Sequence, residues 1–124
     1  MKVQWMNVAL VALGVLGVLW FVYMRASKGD PMQAKQLVDN GALLLDVRQP
    51  HEFQERNIAG AINVPVGELD THIPDIERRV QGDRSHPIVV YCRSGARSGM
   101  AKRKLEASGF TAVTNLGGID DWPQ

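Results

Sequence analysis

The sequence predicts an α/β fold: a central parallel sheet with helices on both faces, preceded by one transmembrane helix. Two observations support this prediction. Short apolar runs of strand length alternate with segments of helical spacing across residues 30–124, and this alternation is typical of parallel sheets covered by helices. Residues 3–24 form a separate stretch of 22 residues without a charged side chain, which is long enough to cross a membrane.

The charge-free stretch has the features of a membrane anchor. As a helix it would span about 33 Å, against a hydrocarbon core of about 30 Å. Trp5 lies near one end and Trp20 and Tyr23 near the other, where aromatic side chains meet the membrane interface. A cleaved signal peptide fits less well, because the stretch is long and residues 24–26 form a poor cleavage site. A buried core helix is a third and weaker alternative, because so small a domain could not cover it on every side.

Charge separates the chain into two parts. Residues 1–29, the expected anchor and linker, hold three basic side chains and no acidic one, whereas residues 30–124, the expected single domain, hold 11 basic and 13 acidic ones. Because the domain is not basic overall and no aromatic residues alternate with its charges, no nucleic-acid partner is expected. Lys2 precedes the span, and Arg25 and Lys28 follow it. This difference of one basic residue favours, by a small margin, a single-pass protein whose domain is on the cytoplasmic side.

Helix and strand signals alternate in the first half of the domain. Asp30 followed by Pro31 is typical of a helix N-cap and first helical position, and Gly41 of a helix end. A continuous apolar run follows, as expected for a strand buried on both faces. This first strand is predicted at residues 42–47. A short helical segment at residues 50–56 and a second strand at residues 61–64 are predicted to follow it.

The second half of the domain continues the alternation. Apolar residues keep helical spacing over residues 69–80, but Pro74 interrupts them, which predicts a helix with a break or a loose start. The last three elements are a third strand, a helix and a fourth strand, predicted at residues 87–91, 96–108 and 111–116. Gly117 and Gly118 are expected to turn the chain toward Trp122.

Cys92, the only cysteine, lies where the third predicted strand ends and a basic, glycine-containing loop begins. In an open α/β sheet, ligands bind at this edge. Loop N–H groups, the N-terminus of the following helix and the flanking Arg93 and Arg97 each favour the reactive thiolate. A buried structural cysteine is the common alternative, but it would be expected inside an apolar run rather than at the start of such a loop.

The remaining composition limits the chemistry. One cysteine excludes an internal disulfide, a cysteine-based zinc cluster and an internal resolving thiol, and the three histidines are scattered. Neither a metal nor a cofactor is therefore expected. Residues 84–105 contain six basic side chains and no acidic one. This stretch favours an anionic substrate near Cys92, although residues 102–104 also fit a solvated helix face.

Five sequence blocks, in order, resemble those of a single-domain rhodanese, a rhodanese-like sulfurtransferase. They are DVR at 46–48, EF at 52–53, IAGAINVP at 58–65, CRSGARS at 92–98, and LGG at 116–118 followed by Trp122. The resemblance covers nearly the whole predicted domain. It implies the fold that the alternating pattern already predicts.

The resemblance also implies a reaction. Cys92 would accept sulfur from a small anionic donor such as thiosulfate, become a persulfide, and pass the sulfur to cyanide, a thiol or a protein acceptor. The implied substrate pocket is formed by Arg93, Ser94, Gly95, Ala96 and Arg97, with the two arginines binding the donor. Asp46 and Arg48 would support the loop, with a purely structural ion pair as the favoured alternative.

Other functions share part of this pattern. Cysteine phosphatases carry an arginine six residues after the cysteine, whereas here that position is Ser98 and Arg97 comes one residue early. The shorter loop suits sulfur better than a phosphoryl group, and arsenate reduction ranks with the phosphatase as a lesser alternative. A membrane-anchored sulfur carrier or docking module with little small-molecule turnover would use the same residues as the enzyme. A catalytically idle binding domain is disfavoured by the intact loop.

Overall fold

The computed structural model describes the backbone of residues 2–26 and 28–124, and the side chains of residues 4–23 and 28–124. The arguments from Lys2, Arg25 and the cleavage site at 24–26 concern side chains outside this part. The elements, in chain order, are α1 (Lys2–Ala26), α2 (Pro31–Asp39), β1 (Leu43–Asp46), α3 (Pro50–Glu55), β2 (Ile62–Asn63), α4 (Leu69–Arg79), β3 (Ile88–Cys92), α5 (Ala96–Ala107) and β4 (Val113–Gly118).

The four strands form one parallel sheet, which confirms the predicted α/β class. Their order is β2-β1-β3-β4, and every pairing is parallel. All five residues of the inner strand β3 are buried, as expected for a strand covered on both faces. Asp46 lies beside Tyr91 in the register, so the carboxyl ends of β1 and β3 reach the same edge of the sheet.

Helices cover both faces of the sheet, as predicted. On one face, Ile76 of α4 and Leu105 of α5 pack with Leu45 and Val90. On the other, Ala34 of α2 packs with Leu44, Val89 and Tyr91. Since neighbouring residues of β3 point to opposite faces, Val90 and Cys92 share the core under α4 and α5.

Pro74 does not break α4. The helix runs continuously from Leu69 to Arg79, and a 3-10 turn (Val66–Glu68) precedes it. The break that Pro74 suggested is therefore absent. Leu69 and Ile76, on either side of the proline, are fully buried in the core, and this packing offsets the hydrogen bond that proline cannot donate.

Gly117 and Gly118 do not turn the chain as predicted but are the last two residues of β4. The register shifts along this strand, from Val90 beside Asn115 to Tyr91 beside Gly117, so β4 has a bulge. Gly117 has a φ of +101°, a conformation that favours glycine. At Gly118, a Cβ atom would collide with the carbonyl oxygen of Arg93. The two glycines therefore allow β4 to lie directly against the loop after Cys92.

The helix α1 contains a segment of 20 residues, Gln4–Tyr23, that is long and apolar enough to cross a membrane. None of the side chains in this segment is buried against the rest of the described chain. A signal sequence near an N-terminus passes the same test of length and composition. By itself, this single helix is a weak candidate for a membrane span.

Candidate active site

Cys92 ends β3, and its sulfur lies under the loop that follows. The residue is fully buried, with 0% of its surface exposed. The backbone N–H of Gly95 donates a hydrogen bond to Sγ at 2.9 Å. Gly95 has a φ of +106° and is the N-cap of α5, so the left-handed residue turns the loop back over the sulfur at the positive end of the helix.

Hydrogen bonds make the Cys92 thiol more acidic than an ordinary thiol. Burial raises the pKa of the thiol, but the Ser98 hydroxyl and the backbone N–H groups of Ser98, Gly95 and Ser94 lower it by more. The net pKa of Cys92 is lowered. Because the thiolate is the nucleophilic form of cysteine, the loop prepares the sulfur for attack on an electrophile.

Ser98 is a buried partner of the sulfur that the sequence reasoning did not identify as a site residue. Its Oγ lies 3.4 Å from Cys92 Sγ, 3.1 Å from the carbonyl oxygen of Gly95 and 3.3 Å from that of Gly117. A hydroxyl has one proton to donate, so it can bond to the thiolate or to one of the carbonyls. The spacing of Ser98 from Cys92, one helical turn into α5, was the available signal.

Arg97 is held by a carboxylate rather than directed into open space. Its guanidinium donates to both carboxylate oxygens of Glu52, with N–O distances of 2.6 and 3.1 Å. Glu52 also accepts the N–H of Gln49 at the start of α3, at 3.1 Å. The hydrogen bond from Arg97 lowers the pKa of Glu52 to about 2. This ion pair joins α5 to α3 across the loop.

Arg93 is the exposed arginine of the loop, and no ion-pair partner for it occurs among residues 4–23 and 28–124. It lines a cleft of about 580 Å³ together with Arg97, Glu52, Arg56 and Asp120. Within the cleft, Arg97 is paired with Glu52, and Arg56 lies 2.9 Å from Asp120. Among the described residues, Arg93 is therefore the arginine of this cleft without an ion-pair partner.

Asp46 and Arg48 form a buried ion pair at the end of β1, the form that the sequence favoured for them. Arg48 Nη2 lies 2.8 Å from Asp46 Oδ2, and the two side chains are 5% and 0% exposed. The hydrogen bonds that Arg48 donates to the Asp46 carboxylate raise the pKa of Arg48. Arg48 also donates to the backbone carbonyl of Arg56, so the pair fixes the chain on either side of α3, which carries Glu52.

These contacts place an acidic thiol and an arginine-lined cleft at one edge of the sheet. Donors from the loop lower the pKa of the Cys92 thiol, and the Arg93 guanidinium lies in the adjacent cleft. Such an arrangement can perform nucleophilic displacement on a small anionic substrate without a separate general base, because the thiol is already acidic. Cys92, Arg93, Gly95 and Arg97 are together here, whereas Asp46 and Arg48 lie beneath them as support.

Comparison with known proteins identifies the family. The family described as Rhodanese-like domain matches residues 30–124, the whole of the predicted domain. The chain therefore belongs to the rhodanese-like family, and it is a rhodanese-type transferase.

Individual relatives agree with this assignment. Thiosulfate sulfurtransferase PspE of Escherichia coli K12 is 38% identical over 77 residues, which is 62% of this chain and 70% of that protein. The putative sulfur carrier protein YrkF of Bacillus subtilis 168 is 34% identical over 91 residues, 71% of this chain and 46% of that protein. A solved structure described as a rhodanese with anions from E. coli is 35% identical, with a TM-score of 0.59 over 67% of this chain and 95% of that one.

Proposed function

We propose that this protein transfers sulfane sulfur through a persulfide on Cys92. The Cys92 thiolate attacks the outer sulfur of thiosulfate, a new S–S bond forms, and the old S–S bond breaks with its electron pair leaving on sulfite. Cyanide or a thiolate then attacks the outer sulfur of the persulfide, takes that sulfur, and returns Cys92 to the thiolate. No proton transfer or external oxidant is needed in either displacement.

The observation that carries this proposal is the N–H of Gly95 on Cys92 Sγ at 2.9 Å. A donor at this distance stabilises negative charge on Sγ. This charge is present in the starting thiolate, and it returns when the S–S bond of the persulfide breaks with its electron pair left on Sγ. Arg93 supplies the binding charge for a donor such as thiosulfate, and Ser94 and Ala96 complete the loop around it. The relatedness to thiosulfate sulfurtransferase PspE supports the same donor.

The test follows sulfur itself. Wild-type protein incubated with thiosulfate should gain the mass of one sulfur atom and lose it again when cyanide is added, with release of thiocyanate. Cys92→Ser should do neither, while Ser108→Ala, at the far end of α5, should behave as wild type. Thiocyanate formation by Cys92→Ser at the wild-type rate would contradict the proposal.

A second candidate function is that of a sulfur carrier. The putative sulfur carrier protein YrkF is 34% identical to this chain, which covers 46% of it. In this case the Cys92 persulfide forms but turns over slowly with cyanide and small thiols, and passes to a protein acceptor instead. Measuring persulfide formation and steady-state thiocyanate production on the same sample separates the two, because the carrier gives the first with little of the second.

We further propose that residues 3–24 remain attached as a single-pass membrane anchor, with residues 30–124 as a domain on the cytoplasmic side. The exposed apolar surface of α1 supports this proposal. The intact mass of membrane-extracted protein should equal that of the full chain, and a reporter fused after Gln124 should be active only in the cytoplasm. A shortened, freely soluble product, or a reporter active outside, would contradict the anchor or its direction.

A further inference from the structure

The segment after α1 reaches back onto the loop that covers the sulfur. Gly29 donates its N–H to the carbonyl oxygen of Asn115 at 2.7 Å, which fixes the chain alongside β4. A Cβ atom at Gly29 would lie 2.7 Å from Thr114 Cγ2, so a larger residue here would force the Thr114 side chain to move. Lys28, the residue before Gly29, is therefore held next to the bulge of β4.

The Lys28 side chain lies over two glycines of the site. A Cβ atom at Gly95 would lie 2.8 Å from Lys28 Cε, and one at Gly117 would lie 3.2 Å from Cδ and 3.3 Å from Cε. Both glycines have a positive φ, +106° and +101°, so neither position favours a side chain of its own. Lys28 occupies the space that these absent side chains leave.

Of the two residues beneath Lys28, Gly95 contacts the sulfur directly and Gly117 contacts Ser98, which approaches the sulfur. Gly95 donates to Cys92 Sγ, and Gly117 offers its carbonyl to the same Ser98 hydroxyl that approaches Sγ. The ammonium of Lys28 would lie 3.5 Å from a Cβ at Gly95, and that residue's N–H is 2.9 Å from the sulfur. With ordinary backbone dimensions, the distance from Nζ to Sγ cannot exceed about 9 Å.

The Lys28 charge is not neutralised by a close carboxylate. Across residues 4–23 and 28–124, no carboxylate lies within ion-pair distance of Lys28. Asp121 is the acidic group on the same side of Gly117, but its Oδ2 accepts the N–H of Gly118. Other charged groups on the elements around Cys92 include Asp46 at the end of β1 and Arg48 after it, Glu52 and Glu55 on α3, Arg93 in the loop, Arg97 on α5, and Asp120 and Asp121 after β4.

We propose that Lys28 is a positioning residue of the sulfur site. Its aliphatic chain holds the Gly95 and Gly117 backbones in place over Cys92, and its ammonium adds a positive charge beside Gly95, outside the residues that line the Arg93 cleft. The proposal deepens the proposed function and rests on it for the thiosulfate measurements. It gives the segment between the apolar helix and the domain a direct part in the chemistry.

The test uses the full chain in detergent and two charge variants. Lys28→Met keeps the aliphatic cover and removes the charge, whereas Lys28→Arg keeps the charge. Arg78→Met is the matched control, because Arg78 lies in the last turn of α4 with 74% of its side chain exposed. Helices that follow parallel strands end at the opposite edge of the sheet from the site, so Arg78→Met removes a charge far from the sulfur.

The first measurement is the thiolate titration of Cys92, followed by ultraviolet absorbance with Cys92→Ser as baseline. Lys28→Met should raise the thiol pKa by about 0.3–0.7 units at low salt, the Coulomb effect of one charge at about 9 Å in a water-rich medium. Lys28→Arg and Arg78→Met should titrate as wild type. An unchanged pKa in Lys28→Met, or an equal change in Arg78→Met, would overturn the proposal.

The second measurement is kcat/KM with thiosulfate. Lys28→Met should lower it at least about threefold at low ionic strength, and the difference should vanish near 1 M salt, where the Debye length is about 3 Å. Lys28→Ala, which also removes the aliphatic cover, should retain a defect at high salt. If no variant transfers sulfur but the titration shift is present, the proposed function fails while the positioning role of Lys28 stands.

Discussion

The guanidinium of Arg97 and the carboxylate of Glu52 face each other at 2.6 Å across the loop that covers Cys92. This ion pair separates the two loop arginines, which the sequence alone assigned to the same task. Arg97 fastens α5 to α3, while Arg93 remains available in the cleft. Removing Arg93 should therefore affect substrate binding, whereas removing Arg97 should affect the stability of the fold.

Arg93→Ala should weaken donor binding without affecting the fold. A charge-assisted hydrogen bond is worth about 1.5–3 kcal/mol, so kcat/KM for thiosulfate should fall roughly tenfold or more, with the melting temperature unchanged. Steady-state kinetics and thermal unfolding measure the two effects. Kinetics indifferent to this substitution would mean that backbone N–H groups alone hold the anion.

Arg97→Ala should instead destabilise the protein. The change leaves a Glu52 side chain that is only 16% exposed without its guanidinium, and an unpartnered charged group costs about 1–3 kcal/mol. Arg79→Ala, which removes an exposed pair with Asp75, should cost less than about 1 kcal/mol. Urea unfolding of both variants checks this order. Equal losses would show that the Arg97 pair contributes no more than a surface pair.

Glu52 should make stability depend on acidic pH. Its folded pKa of about 2 lies below the value of about 4.3 expected in the unfolded chain. The stabilisation is therefore complete above about pH 4.3 and is lost as the pH falls toward 2. The difference in unfolding free energy between wild type and Glu52→Gln should be largest near neutral pH and shrink over this window. A difference that stays constant from pH 6 to pH 2 would contradict the assigned pKa.

Ser98→Ala should raise the pKa of the Cys92 thiol by about one unit, the effect expected for one lost hydrogen bond to a charged group. Sulfur uptake by the wild type should rise with pH, with its midpoint below the ordinary thiol pKa of about 8.5. In Ser98→Ala this profile should move to higher pH, with Ser108→Ala as the control in the same helix. An unmoved profile would exclude the hydroxyl as a thiolate donor.

Asp46→Asn tests whether the buried pair with Arg48 is structural. Removing one charge of a buried pair leaves the other without compensation, and the expected loss of stability is about 3–5 kcal/mol. Asp39→Asn, in the exposed pair with Lys35, should lose less than about 1 kcal/mol. Unfolding measures both. If Asp46→Asn keeps wild-type stability but loses activity, the pair acts on the reaction instead.

Local sequence signals were sufficient for the order of the elements and the place of Cys92. Apolar runs, the Asp30–Pro31 start and the glycine-containing loop are each encoded within a few neighbouring residues, and helix and strand ends moved by only a few positions. Pairing within the site was not encoded in this way. Glu52 and Arg97 lie 45 positions apart in the chain, so nothing local links them. Lys28 and Gly95 are also far apart in the sequence, and both lie against Gly117 of β4.

Gly117 and Gly118 show a second limit of local signals. A pair of glycines most often marks a turn, and here it marks a strand that must approach another backbone closely. The deciding contact is with the Arg93 carbonyl, on a different element. The role of Ser98 is hidden for a related reason, because its hydroxyl reaches Cys92 from the first turn of α5, across the loop that separates the two residues.

The bond from Gly29 to Asn115 also affects how copies of this protein meet. An exposed strand edge is a template on which a second molecule can add a strand and begin to aggregate. Here one outer strand, β2, is two residues long, and the other, β4, has its outer side interrupted by Gly29. Neither edge of the sheet therefore has a long uninterrupted row of free backbone groups. At high concentration, copies of this protein should not aggregate by adding strands to one another's sheets.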